Sequence, residues 1–131
     1  MKNKFKFPAN TDSIAKVESL IDEVCSEYAI SNKKYGNICI AVMAAVENSI
    51  IHGNKMDSEK SLNFSYDMEE RQIGFVIKDE GEGFDHQAIP DPTMVKMRIE
   101  KKGRGLFLMK VLSDELIFNN SGNEVELKFK L

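Results

Sequence analysis

With 131 residues, 42% of them apolar and 30% charged, the chain has the size and composition of one soluble globular domain. Its 21 acidic and 18 basic residues leave a net charge of −3, which withholds the basic surface that nucleic-acid binding needs. Cys25 and Cys39 stand apart from any CxxC or Cys/His spacing and read as small core hydrophobes. No signal peptide and no run near the ~20 apolar residues of a bilayer span is seen, so a cytoplasmic protein without a membrane role is expected.

The opening KFKF predicts a short strand that stops at Pro8, where a backbone donor is lost. TDSIAKVESLIDEVCSEYAI predicts a helix with Thr11 or Asp12 as N-cap and Ile14, Val17, Leu20, Ile21 and Val24 on one face. A second helix is expected over about residues 32–52. SLNFSYDM and QIGFVIKD alternate apolar and polar positions around the short link Glu69-Glu70-Arg71, which predicts an antiparallel hairpin. Residues 80–103 hold glycines and prolines with little sustained periodicity, and so long a loop in a compact domain is usually functional. GRGLFLMKVLSDEL reads as a glycine-opened helix, and EVELKFKL as a closing strand with Val125, Leu127, Phe129 and Leu131 on one face. Helices segregated from a mostly antiparallel sheet make an α+β fold, a two-layer α/β sandwich with helices on one face.

Three stretches carry polar chemistry, and each has a plain structural alternative. In AVMAAVENSIIHGN, helical spacing stacks Ala44, Asn48 and His52 on one face and turns Glu47 about 100° away. Asn48 is either a surface amide or an oxygen ligand for Mg²⁺, a hard cation. In DEGEG, Asp79 follows a strand; Asp-x-Gly-x-Gly is a common turn, or a carboxylate that accepts from the adenine amine above glycines that let the ring approach. In GRGLFLMK, Gly103 and Gly105 surround a helix start whose free N–H groups suit phosphate, although neither a Walker A nor a dinucleotide fingerprint is complete.

In this order the three stretches, NSIIHGN, DEGEGF and GRGLFLMK, resemble the GHKL (Bergerat-type) ATP-binding domain, and more closely its anti-sigma-factor and serine-kinase branch, from about residue 5 to the C-terminus. The resemblance implies one ATP-binding domain over residues 1–131, with the cofactors ATP and Mg²⁺. Asn48 would bind the metal, Asp79 would read adenine above Gly81 and Gly83, and residues 84–102 would form a lid over the nucleotide. The backbone of Gly103, Arg104, Gly105 and Leu106 would cradle phosphates. The partners implied are a sigma factor and an anti-anti-sigma (STAS-type) protein, with a homodimer left open.

The chain departs from the family pattern at two places. Family kinases typically carry a glutamate four residues before the asparagine as general base, and here that position is Ala44; Glu47, the remaining candidate, faces another way. Threonines that often follow the late glycine are replaced by Asn123 and Glu124. The resemblance thus implies an anti-sigma-type regulator whose serine-kinase activity is weak. The alternatives are a non-catalytic nucleotide-dependent binding module and the ATPase half of a two-component histidine kinase system.

Overall fold

A computed structural model describes residues 2–81, 101–119 and 122–131. Strand β1 (Lys2–Pro8) leads into helices α1 (Thr11–Glu27) and α2 (Asn32–Asn48), and a π-helical turn (Ser49–Gly53) extends α2. Strands β2 (Ser61–Glu69) and β3 (Gln72–Lys78) form the expected hairpin, followed by α3 (Lys101–Leu112), β4 (Glu115–Phe118) and β5 (Glu124–Lys130). The five strands lie in the order β1-β2-β3-β5-β4, every neighbouring pair antiparallel. This is the α+β sandwich that the alternation of patterns predicts.

Register explains why one face of the sheet must be covered. Phe5 pairs with Phe64, Phe64 with Ile77, Ile77 with Val125 and Val125 with Phe118, so one apolar row crosses all five strands. A parallel row runs through Tyr66, Phe75, Leu127 and Leu116. Side chains alternate across a strand, so both rows point the same way. Against them pack Val17, Ile21 and Val24 of α1 and Ile38, Ala41, Val42 and Ala45 of α2, spaced to fall on one helix face. Phe75 is fully buried, its ring 5.9 Å from that of Phe64 and 6.1 Å from that of Phe129.

Several boundaries differ from the sequence reading for local reasons. The cap of α1 is Asn10, not Thr11 or Asp12: Asn10 is extended and its Oδ1 accepts the Ser13 N–H at 3.1 Å. Helix α3 starts at Lys101, two residues ahead of Gly103, and ends at Leu112 instead of running through SDEL. There the Ser113 hydroxyl bonds the Met109 carbonyl at 2.5 Å, and the Asp114 carboxylate accepts the Lys130 N–H at 2.8 Å, turning the chain into β4. Leu131 lies beyond β5 and is 41% exposed, so it does not join the core face. Among the described residues no helix is long and apolar enough to cross a membrane.

Two consequences of this packing are measurable. A Cβ added at Gly36, inside α2, would meet nothing within 4 Å. Gly36→Ala should therefore stabilise the fold by about 0.5–1 kcal/mol, read from urea unfolding, because glycine is the costlier residue in a helix interior. The Cys25 thiol, in contrast, is pushed up from 9.0 to about 11 by burial, with Cys39 and Asp22 adding to the effect. A thiol so raised holds roughly 100-fold less thiolate near neutrality, so iodoacetamide should label native Cys25 far more slowly than an unfolded thiol. A raised thiol pKa also favours the folded state only while both states are protonated. That contribution is whole below about pH 9 and should fade as pH rises through about 11, visible as a falling Tm.

Candidate functional site

The site lies where the exit of β3 and the start of β5 meet the end of α2. The last β3–β5 pair, Lys78 with Glu124, is followed by a bond from the Asp79 N–H to the Asn123 carbonyl at 2.9 Å, which carries the ladder one step further. Asp79 is only 7% exposed. Its Oδ1 accepts the Gly81 N–H at 2.7 Å, an Asx-type turn that orients the carboxylate. A cavity of about 410 Å³, its open mouth included, runs from Asp79 past Asn48, Ser49, His52 and Gly53 to Met109 of α3 and Asn123.

Asn48 is the last residue of α2 proper, and its Oδ1 is buried with no hydrogen-bond partner among the described residues. An unpaired buried acceptor costs about 1–3 kcal/mol, which sets this oxygen apart from the satisfied polar groups around it. The adjacent polar residues Glu47 and Asn48 are thereby separated. Asn48 lines the cavity with Asp79, whereas Glu47 is half-buried on another face and does not line it.

Immediately after Asn48 the helix widens. The Asn54 N–H reaches back to the Ser49 carbonyl at 2.8 Å, an i to i+5 bond, so the segment expected to continue as α-helix to residue 52 is a π turn. Such single turns occur frequently at functional sites. Lys55 and Met56 then adopt left-handed backbone, with φ of 53° and 59°. The wider turn puts His52 at the exposed rim of the cavity and lowers Gly53 onto the sheet end.

Residues not assigned from the sequence complete the frame. Asn54 is fully buried; its Oδ1 accepts the Glu80 N–H at 2.8 Å and its Nδ2 donates to the Ser61 carbonyl at 3.0 Å, while Glu80 in turn accepts the Ser61 N–H. Asn123 donates to the Gly81 carbonyl at 3.4 Å and accepts from Asn119 at 2.6 Å, so the position that departs from the family threonines forms part of the cavity wall. The Gly-Asn ending of the helix was the available signal for Gly53 and Asn54. A helix-terminal Gly-Asn is also a routine stop, which hides the role.

The remaining candidates fall on α3 and beyond. Gly103 and Arg104 occupy its first turn, where backbone N–H groups lack helical partners; Gly105 and Leu106, fifth and sixth in the helix, have theirs inside the ladder. Leu106 is buried at 5% exposure in the hydrophobic core. Gly105 faces Ala44: a Cβ built on it would lie 3.8 Å from the Ala44 Cβ. Gly83 and residues 84–100 of the expected lid lie outside the described residues, and 101–102 belong to α3.

The family model for the histidine kinase-like ATPase domain matches residues 7–129. The serine-protein kinase RsbW of Staphylococcus epidermidis is 28% identical over 132 residues, covering 95% of this chain and 83% of that protein. The serine-protein kinase RsbW of Bacillus subtilis (strain 168) is 26% identical over 131 residues, with 95% and 82% covered. The anti-sigma F factor of Clostridium novyi (strain NT) is 26% identical over 136 residues, with 100% and 94% covered. The crystal structure of the RsbU and RsbW domains of a Mycobacterium tuberculosis protein superposes on all of this chain with a TM-score of 0.70 at 16% identity, a likeness of fold. The match takes in 32% of that longer chain.

Proposed function

The chain belongs to the histidine kinase-like ATPase domain family, and from that membership we propose an ATP- and Mg²⁺-dependent regulator of the anti-sigma-factor type. It holds a sigma factor or an anti-anti-sigma (STAS-type) protein and phosphorylates a serine of the latter slowly. Residues 1–131 act as one ATP-binding domain. The relatives named as RsbW kinases and anti-sigma F factor support the regulatory role.

The observation that carries the nucleotide reading is the meeting of Asp79 and the unpartnered Asn48 oxygen on one cavity. Asp79, its Oδ1 oriented by the Gly81 amide, accepts from the exocyclic amine of adenine, which guanine lacks at that edge. An unpaired amide oxygen also fits a hard cation that keeps most of its waters. Mg²⁺, when bound, would neutralise phosphate charge. Asn48 would hold it, and the first turn of α3 at Gly103 and Arg104 would donate N–H groups to the phosphates.

Calorimetry tests this directly. Wild type should bind ATP more tightly than GTP, and Asp79→Asn should weaken ATP about tenfold or more, because an amide donor replaces part of the acceptor facing the adenine amine. Equal affinity for both nucleotides, or an unchanged variant, would remove Asp79 from this role. Co-purification from native cells should bring down a sigma factor or a STAS-type protein; a receiver domain in its place would favour a two-component role. A second reading, a binding module without phosphotransfer, is favoured by Ala44 at the position of the general base.

A further inference from the structure

The sequence explains why residue 79 is acidic but not what holds its carboxylate in position. Around it the π turn and the strand-end turn meet backbone to backbone. A Cβ added at Gly53 would overlap the Asp79 carboxylate: its nearest neighbours are Oδ2, Cγ and, at 2.7 Å, Oδ1. A Cβ added at Gly81 would strike the Gly53 carbonyl oxygen and lie 2.8 Å from its carbon. The carboxylate is thus seated between two bare Cα atoms. Its Oδ1 takes the Gly81 N–H, and its Oδ2 occupies the space a side chain at residue 53 would need.

Neither partner has slack to yield. The Asp79 backbone is fixed by its bond to Asn123, and the next residue, Glu80, by its bond to the fully buried Asn54. Gly53 is set by the π turn, which closes through Asn54 onto Ser49. A methyl group at residue 53 would therefore be accommodated chiefly by rotating the Asp79 side chain, which breaks the Gly81 bond and turns the acceptor away from the cavity.

We infer that Gly53 is a positioning residue that sets nucleobase specificity: its missing side chain lets Asp79 present a fixed acceptor, so selection of an amine-bearing purine over an oxo purine depends on residue 53 as well as on residue 79. The inference rests on the ATP-binding reading above and adds a determinant to it. A carboxylate held in one orientation accepts from the adenine amine and repels the guanine carbonyl oxygen. A rotated one does neither.

The test is calorimetric titration of wild type and Gly53→Ala with ATP and with GTP, alongside thermal unfolding. In Gly53→Ala, ATP affinity should drop about tenfold or more while GTP affinity changes little, so the preference for ATP collapses. A merely structural role would weaken both nucleotides alike. Because Gly53→Ala could unfold the chain, Asp79→Ala and the double variant complete a thermodynamic cycle: without the carboxylate, alanine at residue 53 should cost almost nothing further in Tm. A preserved ATP/GTP ratio in folded Gly53→Ala, or additive losses of Tm in the double variant, would overturn the inference. Failure of wild type to bind ATP would instead remove the nucleotide reading on which it stands.

Discussion

Asn48→Ala should abolish the Mg²⁺-dependent part of ATP affinity without lowering stability. The buried Oδ1 has no partner among the described residues, so the fold gains nothing from it while its desolvation costs about 1–3 kcal/mol. Wild type should lose affinity about tenfold or more when Mg²⁺ is replaced by EDTA, and Asn48→Ala should bind at that lower level with or without the metal. Its Tm should be equal to or above that of wild type. Asn48→Asp, which keeps an oxygen at the same place, should retain the metal dependence. A fall in Tm for Asn48→Ala with unchanged nucleotide binding would make the amide structural.

Ala44→Glu should accelerate phosphotransfer by about 10²–10⁴-fold, the range a positioned general base contributes. Wild type should be slow because phosphoryl transfer then relies on positioning and electrostatics alone. The structure bears on whether the longer side chain fits. Ala44 looks onto Gly105, where a built Cβ would be in ordinary contact with it at 3.8 Å, so the missing side chain of Gly105 leaves room on that side of residue 44. Glu47→Gln is the control and should change little, since helical spacing turns Glu47 about 100° from Asn48. Single-turnover transfer to the native partner at saturating Mg-ATP separates the cases. Rapid wild-type transfer lost in Glu47→Gln would identify Glu47 as the base, and an inert Ala44→Glu with normal ATP binding would favour a module that signals by binding alone.

The layers were legible in the chain before folding, because periodicity is a local property. Alternation in SLNFSYDM and QIGFVIKD, and helical spacing from Val17 to Val24, each specify one buried face, and two such faces have one way to hide from water. Asn48 and Asp79 were marked as well, since an amide in an apolar helix and an acid at a strand end stand out against their surroundings. Boundaries were less legible. Whether α2 continued past Asn48 depended on Asn54 finding partners at Ser61 and at Glu80, the latter remote in sequence, and whether SDEL stayed helical depended on Asp114 meeting the N–H of Lys130.

Which of the marked residues meet was decided only when the elements packed. Spacing on an ideal helix set Ala44, Asn48 and His52 in one row; packing against α3 and the π turn gave Ala44 to Gly105, Asn48 to the cavity and His52 to its rim. The roles of Gly53 and Asn54 were hidden for the same reason. A glycine's function here is an absence of atoms where another chain segment passes, and a buried asparagine's is to satisfy backbone groups elsewhere. Neither leaves a local pattern, because the atoms that give them meaning are brought beside them only when the helix end closes over the sheet.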